Sequence, residues 1–194
     1  MKQDIILAGV GGQGILSIAA VIGLAAMNES LKVKQAEVHG MSQRGGAVQS
    51  HLRLSSEEIY SDLIPQGQAD LIISVEPMES LRYLPYLSRE GWLVTNSVPY
   101  ENIPSYPDRT ELETEIRKVR NNINLDADSI ALKTGSKRAS NMVILGAASP
   151  CIDLDENSFL NAICSLFARK GEEIVGMNQE AFGLGRQFSQ NYFM

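Results

Sequence analysis

The chain has 194 residues, 44% of them hydrophobic and 21% charged, which suffices for one large α/β domain and is marginal for two. Its formal net charge of −6 argues against nucleic acid as a partner, because phosphate-backbone binding needs a clustered excess of Lys and Arg. Two cysteines, Cys151 and Cys164, and two histidines are too few and too widely spaced for a four-cysteine iron–sulfur cluster or a usual zinc site.

These features also indicate where the protein resides. We expect both cysteines to be reduced packing residues, as in a cytoplasmic protein, and any redox chemistry to be carried elsewhere. The apolar run after Gly14 is shorter than the ~20 residues that span a bilayer, so no membrane association is expected.

The first elements in chain order predict a Rossmann-like start. The run "DIILAGV" is typical of a buried strand, and "GILSIAAVIGLAAM" is typical of a helix packed on a sheet. The segment "KVKQAEV" alternates as a strand does and follows at crossover length, which predicts the second strand of a βαβ unit within residues 1–38.

The next segment, "AVQSHLRLSSEEIYSDLI", predicts an antiparallel hairpin turning at "SSEE". Val48, Leu52 and Leu54 alternate with His51 and Arg53, so His51 is expected on the exposed face of a strand. Strand–helix alternation then resumes, because the apolar runs "ADLIISV" and "GWLVTNS" flank "MESLRYLPYLSRE", whose apolar residues recur at helical spacing through Leu87.

The remaining elements complete the prediction. They are a charged helix in "RTELETEIRKVRNN", a strand and short helix in "INLDADSIAL", a buried helix in "KRASNMVILGAAS", a helix capped by Asp153 and Glu156 in "DLDENSFLNAICSLFARKG", and a short terminal helix in "NQEAFGLGRQF". The predicted fold class is α/β: a Rossmann-like three-layer sandwich with a mostly parallel sheet and an inserted antiparallel hairpin, forming a single domain over residues 1–194.

The stretch "GVGGQG" places Gly9, Gly11 and Gly14 in a GxGxxG pattern between the first strand and helix. Glycines allow a tight turn there and present amides at a helix N-terminus, where an anion is stabilised. Glu37 lies near the place where a dinucleotide site needs an acid for the ribose. The residues leave three interpretations open: a dinucleotide, another phosphate-bearing ligand, or a purely structural turn.

Two further positions follow strand ends. The loop "HGMSQRGG" combines an imidazole, an amide and a guanidinium with glycines, which fits either a functional loop or a wide turn. Glu76, at the end of a strand and before Pro77, is expected to be partly buried, either capping the next helix or paired with Arg44 or Arg82. The sequence contains no GxSxG, HExxH or Cys–His pattern that would identify a nucleophile or a metal-bound base.

Four stretches carry a family resemblance. The segments "GVGGQGI", "AEVHGMSQRGGAVQSHLRL", "IYSDLIPQGQADLIISVEPMESLRYLPYL" and "RASNMVILGA" closely resemble, in order and over most of the chain, the beta (small) subunits of indolepyruvate:ferredoxin oxidoreductases. This is the gamma-domain branch of the 2-oxoacid:ferredoxin oxidoreductases.

The resemblance implies a subunit, inactive alone, of an enzyme that oxidatively decarboxylates an aryl 2-oxoacid such as indolepyruvate with coenzyme A. The products are an aryl-acetyl-CoA, carbon dioxide and reduced ferredoxin. It further implies that thiamine diphosphate and [4Fe-4S] clusters belong to a large alpha subunit, on which this chain docks near the approach of coenzyme A. The alternative is a self-sufficient Rossmann-type nucleotide-binding module or NAD-dependent enzyme, although no second set of catalytic residues accompanies the glycines.

The matching positions fall into two groups. The resemblance implies ligand-binding roles for Gly9, Gly11, Gly12, Gln13 and Gly14, and for Glu37, His39, Gly40, Gln43, Arg44, Gly45 and Gly46. The second group is expected at the subunit interface beside the active site. There Arg44 would supply positive charge to a coenzyme A phosphate or a substrate carboxylate.

Overall fold

The computed structural model describes residues 1–39, 46–101 and 103–193, with no description of the His39 side chain. The described residues form six strands: β1 (Lys2–Val10), β2 (Lys32–His39), β3 (Ala47–Ser55), β4 (Ala69–Ser74), β5 (Leu87–Asn96) and β6 (Asn122–Leu125). They also form seven α-helices: α1 (Ile15–Asn28), α2 (Pro77–Arg82), α3 (Arg109–Arg117), α4 (Ala127–Ala131), α5 (Ser140–Ala148), α6 (Glu156–Phe167) and α7 (Glu172–Ser189).

The strands form one mixed sheet in the order β2-β3-β1-β4-β5-β6. Strands β1, β4, β5 and β6 pair in parallel, whereas β3 is antiparallel to both of its neighbours, β1 and β2. Helices α2 and α3 cover one face and the other helices cover the opposite face. The predicted three-layer α/β sandwich with an inserted antiparallel hairpin is therefore confirmed.

The position of the hairpin differs from the prediction. The antiparallel hairpin pairs β2 with β3, whereas "SSEE" leads into a loop, and no strand is found in residues 56–68. Consequently β3 lies between β1 and β2, so these two strands are not the adjacent pair of a simple βαβ unit. Strand β3 is largely buried, while β2, with Lys32 and Lys34, has no fully buried side chain among those described. The more apolar strand thus takes the interior and the charged strand takes the edge.

The loop after β3 is held by side chains instead of by strand pairing. Arg53 forms a bidentate ion pair with the buried Asp4, at 2.7 and 2.9 Å, and its Nη1 donates to the carbonyls of Ser61 and Leu63 at 3.0 Å each. These bonds satisfy the Ser61 and Leu63 carbonyls, which in a second hairpin strand would have accepted backbone hydrogen bonds. The alternating pattern of residues 59–64 therefore belongs to a loop folded over the sheet.

This loop also corrects the expectation for His51, which is 4% exposed. The His51 Nδ1 accepts the Ile64 amide at 3.0 Å, and the ring packs edge-on against Tyr86. Because Nδ1 accepts, the proton of the neutral ring lies on Nε2. Burial, followed by the charge of Arg53, lowers the pKa of His51. The residue is a buried structural contact between β3 and the loop.

The larger core lies between the sheet and the layer of α1, α5, α6 and α7. Helices α5 and α7 approach closely where Gly146 faces the Phe182 carbonyl and Gly185 faces the Val143 carbonyl. A Cβ at either glycine would lie well inside van der Waals contact with that backbone oxygen. The two glycines therefore set the separation of the helices, which together support the carboxyl edge of the sheet.

The ends of three helices differ from the prediction. The α6 cap is Asp155, which accepts the Asn157 amide at 2.8 Å, not Asp153. Helix α2 ends at Arg82 and β5 begins at Leu87, since Pro85 interrupts the helical pattern. The terminal helix α7 has 18 residues and is longer than expected.

In the described part of the chain, no helix has the length and apolar character needed to cross a membrane.

Candidate ligand-binding cleft

The glycine loop follows β1 and is held by hydrogen bonds to the end of β1 and to Gly46. The Gly11 amide donates to the Gly46 carbonyl at 2.9 Å, and the Gln13 amide donates to the Val10 carbonyl at 3.1 Å. The Gln13 Oε1 accepts the Val10 amide at 2.8 Å, so its carboxamide oxygen is used internally and its NH2 group remains a donor. The loop is thereby preformed.

Two of the glycines have backbone angles that favour glycine. Gly12 has a φ of +101° and Gly14, the residue preceding α1, has a φ of +83°. Among the described residues, the amides of Gly12 and Gly14 have no hydrogen-bond acceptor. The loop therefore combines a turn that requires glycine with available N–H donors at a helix N-terminus, which suits an anionic ligand.

A cleft of about 590 Å³ opens beside this loop. Gly12, Gln13 and Gly14 form one side, and Val75 and Asn96, which follow β4 and end β5, form the floor. The cleft thus lies at the carboxyl ends of parallel strands, where ligands bind in open α/β sheets. The helical layer closes the opposite side with Lys137, Arg138, Ser140, Asn141, Phe167, Lys170, Ile174, Met177 and Asn178.

The described lining is cationic. Lys137, Arg138 and Lys170 contribute three positive charges, and Asp128 contributes one negative charge. The Lys170 ammonium lies 5.2 Å from the centroid of the Phe167 ring, a cation–π contact. In a chain of net charge −6, a local excess of positive charge next to free amides makes this cleft a candidate anion site.

Asn141 connects the helical layer to the glycine loop. Its Nδ2 donates to the Gly14 carbonyl at 3.2 Å, and its Oδ1 accepts the Met142 amide at 3.0 Å. The residue is 8% exposed. Sequence reasoning on strand ends did not single out Asn141, Lys137, Arg138 or Lys170, because all four lie in helices or helical turns. The available signal was the resemblance of "RASNMVILGA", which includes Arg138 and Asn141.

The other flank of the glycine loop has a second cavity of about 300 Å³. Its lining includes Gly11, Gly12 and Gly14 together with Glu37 of β2 and Val48 of β3, so Glu37 lies on this flank of the loop. The interposed β3 adds a strand spacing of about 4.8 Å between β1 and β2, which weighs against the dinucleotide geometry.

The structure describes only some of the other residues predicted to belong to the site. Gly9 is the penultimate residue of β1 and lies beside Val75, and Gly46 bonds to Gly11 through its carbonyl. The His39 backbone ends β2. Gly40, Gln43, Arg44 and Gly45 lie outside the described residues.

Two roles were expected for Glu76, and the structure shows the first of them, the cap of the next helix. It is fully buried, and its Oε2 accepts the Glu79 amide at 2.8 Å at the start of α2. Arg82 pairs with Glu79 at 3.0 Å instead of with Glu76. Burial raises the pKa of Glu79, and the Arg82 charge opposes that shift.

Nucleophile and metal chemistry find little support in the described residues. They contain no group of three or more His, Cys, Asp or Glu side chains arranged to hold a metal ion. Burial raises the pKa of the Cys151 thiol to about 12, so it stays protonated at neutral pH. Cys164 is exposed on α6, contrary to the expectation that both cysteines pack in the interior.

Comparisons with known proteins agree with the fold. The family model described as pyruvate ferredoxin/flavodoxin oxidoreductase matches residues 4–188. The chain is 36% identical over 196 residues to the indolepyruvate oxidoreductase subunit IorB of Thermococcus kodakarensis, covering 95% of both chains. It is 40% identical over 153 residues to the subunit of the same name from Archaeoglobus fulgidus, covering 75% of each.

A solved structure extends the comparison. The 2-oxoglutarate:ferredoxin oxidoreductase of Magnetococcus marinus, with 2-oxoglutarate, coenzyme A and succinyl-CoA bound, matches with a TM-score of 0.79 and 25% identity. The match covers 98% of this chain but 31% of that one, so this chain spans about a third of the larger polypeptide. The gamma subunit of a keto/oxoacid ferredoxin oxidoreductase from Geobacter sulfurreducens, with a TM-score of 0.69 and 21% identity, shows the same fold.

Proposed function

Because the chain belongs to the pyruvate ferredoxin/flavodoxin oxidoreductase family, we propose that it is the small subunit of an aryl-pyruvate oxidoreductase that uses coenzyme A and ferredoxin. The observation that carries the proposal is the similarity to indolepyruvate oxidoreductase subunits over 95% of both chains. A likeness of this extent involves the whole subunit rather than a shared nucleotide-binding module. The reaction converts an aryl pyruvate such as indolepyruvate to an aryl-acetyl-CoA and carbon dioxide, with electrons passing to ferredoxin.

In this proposal the chemistry that needs cofactors belongs to a large partner subunit. Thiamine diphosphate and [4Fe-4S] clusters there supply carbanion and electron-transfer chemistry. This chain contributes a preformed surface at the carboxyl edge of its sheet. The described residues around the cleft offer amides, ammonium groups and a guanidinium. These groups are suited to binding and orienting an anionic substrate.

We propose that the anionic part of coenzyme A approaches the glycine loop. The amides of Gly12 and Gly14, the Gln13 NH2 group and the cations Lys137 and Arg138 provide donors suited to phosphate oxygens. Arg44, in the loop before β3, is proposed to add a further positive charge toward a coenzyme A phosphate or the 2-oxoacid carboxylate. Supporting this, Gly46 at the end of that loop bonds directly to Gly11.

The first experiment is anaerobic affinity purification of the chain from its own cells, with measurement of iron, thiamine diphosphate and the masses of co-purifying chains. We expect a stoichiometric larger chain carrying both cofactors, and turnover of indolepyruvate with coenzyme A and ferredoxin. A metal-free homo-oligomer that binds NAD would contradict the proposal and favour the nucleotide-binding alternative.

The role of Arg44 is tested in the reconstituted enzyme. Arg44→Ala is expected to raise the KM for coenzyme A or for the 2-oxoacid about tenfold, since one charge-assisted hydrogen bond contributes about that factor. Arg89→Ala, the same change at an exposed position on β5, is the matched control. Unchanged kinetics for both substrates in Arg44→Ala would show that this role is wrong.

A further inference from the structure

One wall of the cleft is an irregular segment, the connection after β5, here called the strap and comprising residues 97–101 and 103–108. Val98, Pro99 and Tyr100 of the strap line the cleft. At its beginning, the Ser97 amide donates to the Leu125 carbonyl at 2.9 Å and the Val98 amide donates to Asn96 Oδ1 at 3.3 Å. These bonds anchor the strap to the ends of β5 and β6.

Beyond Val98, the strap is held by the buried carboxylate that follows β4. The Glu76 Oε1 accepts the Tyr100 amide at 3.3 Å and also accepts the Tyr106 hydroxyl. Among the described residues, the hydrogen bonds from residues 99–107 to the rest of the protein converge on this one point. The position of the wall thus depends on Glu76.

The environment of Tyr106 keeps its hydroxyl protonated, so that it can donate to Glu76. Arg82, a nearby cation, is engaged by Glu79 at 3.0 Å, and the carboxylate of Glu76 is met by N–H and O–H donors. Burial, with the hydrogen bond to Glu76, raises the pKa of the Tyr106 phenol far above its ordinary value. Tyr106 therefore remains a donor at neutral pH.

We propose that Glu76 is a positioning residue, with one carboxylate oxygen capping α2 and the other fixing the strap as the wall of the ligand cleft. Through Tyr100 and Tyr106 it determines where Val98 to Tyr100 stand relative to the glycine loop. The inference rests on the proposed function only for the identity of the ligand, coenzyme A, whose binding the wall affects.

The requirement for a carboxylate follows from the donors. The Oε2 faces the Glu79 amide, while Oε1 faces the Tyr100 amide and the Tyr106 hydroxyl. A glutamine has one oxygen, so either orientation of its amide places an NH2 group against an N–H donor. Glu76→Gln would thus disturb either the cap or the strap, depending on which side its NH2 group occupies. Tyr106→Phe is the cleaner change, because it removes one strap contact and leaves the cap intact.

The test compares Tyr106→Phe with Tyr83→Phe in the complex with the large subunit. Both variants lose one hydroxyl from a half-buried tyrosine, but Tyr83 follows α2 outside the strap and the cleft lining. The readouts are amide hydrogen exchange in peptides covering residues 97–108, and KM and kcat for coenzyme A. Tyr106→Phe is expected to accelerate exchange in these peptides about tenfold and to raise the KM several-fold with kcat retained, since a hydrogen bond to a charged acceptor is lost.

Two results would overturn the inference. One is strap exchange in Tyr106→Phe equal to that in Tyr83→Phe, which would show that the Glu76 contact does not hold the strap. The other is faster exchange with an unchanged KM, which would show that the wall does not position the ligand. Should the wild-type complex lack turnover with aryl pyruvates and coenzyme A, the proposed function fails instead, and the exchange comparison by itself decides whether Glu76 holds the strap.

Discussion

Two pairs of glycines occupy the molecule for different physical reasons. In the loop after β1, Gly12 and Gly14 have positive φ, which an L side chain rarely adopts. At the crossing of α5 and α7, Gly146 and Gly185 have ordinary helical backbones, but each faces a carbonyl of the other helix. The first pair is required by the conformation of its own residues, and the second by the backbone of a distant segment.

The difference determines what a sequence pattern can reveal. A GxGxxG between a strand and a helix indicates a turn because the reason for the glycines is local. A glycine within a helix merely resembles a weak helix former. In α7, Gly183 and Gly185 look alike in sequence, yet a Cβ at Gly183 would meet no atom within 4 Å.

The largest effect is expected from Gly185→Ala. The added methyl would overlap the Val143 carbonyl, so α7 must move away from α5 or lose its packing. We expect destabilisation by about 3 kcal/mol, the upper part of the usual range for overpacking. Chemical denaturation followed by fluorescence is a suitable measurement, since the chain has one tryptophan, Trp92, packed against the larger core.

Gly183→Ala is the matched control on the same helix. Its exposed position allows the methyl group to extend into solvent, and the gain in helix propensity should stabilise the protein by about 0.5–1 kcal/mol. If the two variants had equal denaturation midpoints, the close approach of the helices would not depend on Gly185.

The parts of the fold that local pattern determines could be predicted. Strands β1, β4 and β5 each contain an apolar run that the sequence shows, and α5 is almost entirely apolar, as suits a helix covered by both the sheet and α7. The order of the strands could not be predicted in the same way. Whether β3 pairs with β1 or with residues 59–64 depends on the long-range bonds of Arg53 and His51.

The residues of the candidate site also fall into those that a local sequence pattern indicates and those that only long-range packing brings together. Spacing in the sequence singled out the glycine loop and Glu37, which line one cavity in the structure. Lys137, Arg138 and Lys170 reach the cleft from three-dimensional packing of the helical layer, which no pattern around a strand end encodes. Asn141 falls between these cases, because it contacts the glycine loop but belongs to α5.

A smaller loss is expected from Gly14→Ala. The left-handed backbone costs an alanine about 1 kcal/mol relative to glycine, and the Cβ would also overlap Asn141 Nδ2. We expect a total of about 2 kcal/mol, because a side chain yields more readily than a carbonyl. Gly135→Ala, at a φ of +93° with no atom within 4 Å of its Cβ, is the control that shows the backbone cost alone. An equal loss in both variants would mean that Asn141 moves away freely.

The smallest effect belongs to Asn141→Ala, which links the two glycine regions. Loss of the bond to the Gly14 carbonyl should destabilise the protein by about 1 kcal/mol. In the double variant Gly14→Ala/Asn141→Ala the steric overlap is gone, so the combined loss should be smaller than the sum of the single losses by about 1 kcal/mol. A denaturation cycle over the four proteins measures this coupling. Additivity would mean that the cost of Gly14→Ala is purely conformational, whereas the expected coupling would mean that packing against α5 also requires glycine at position 14.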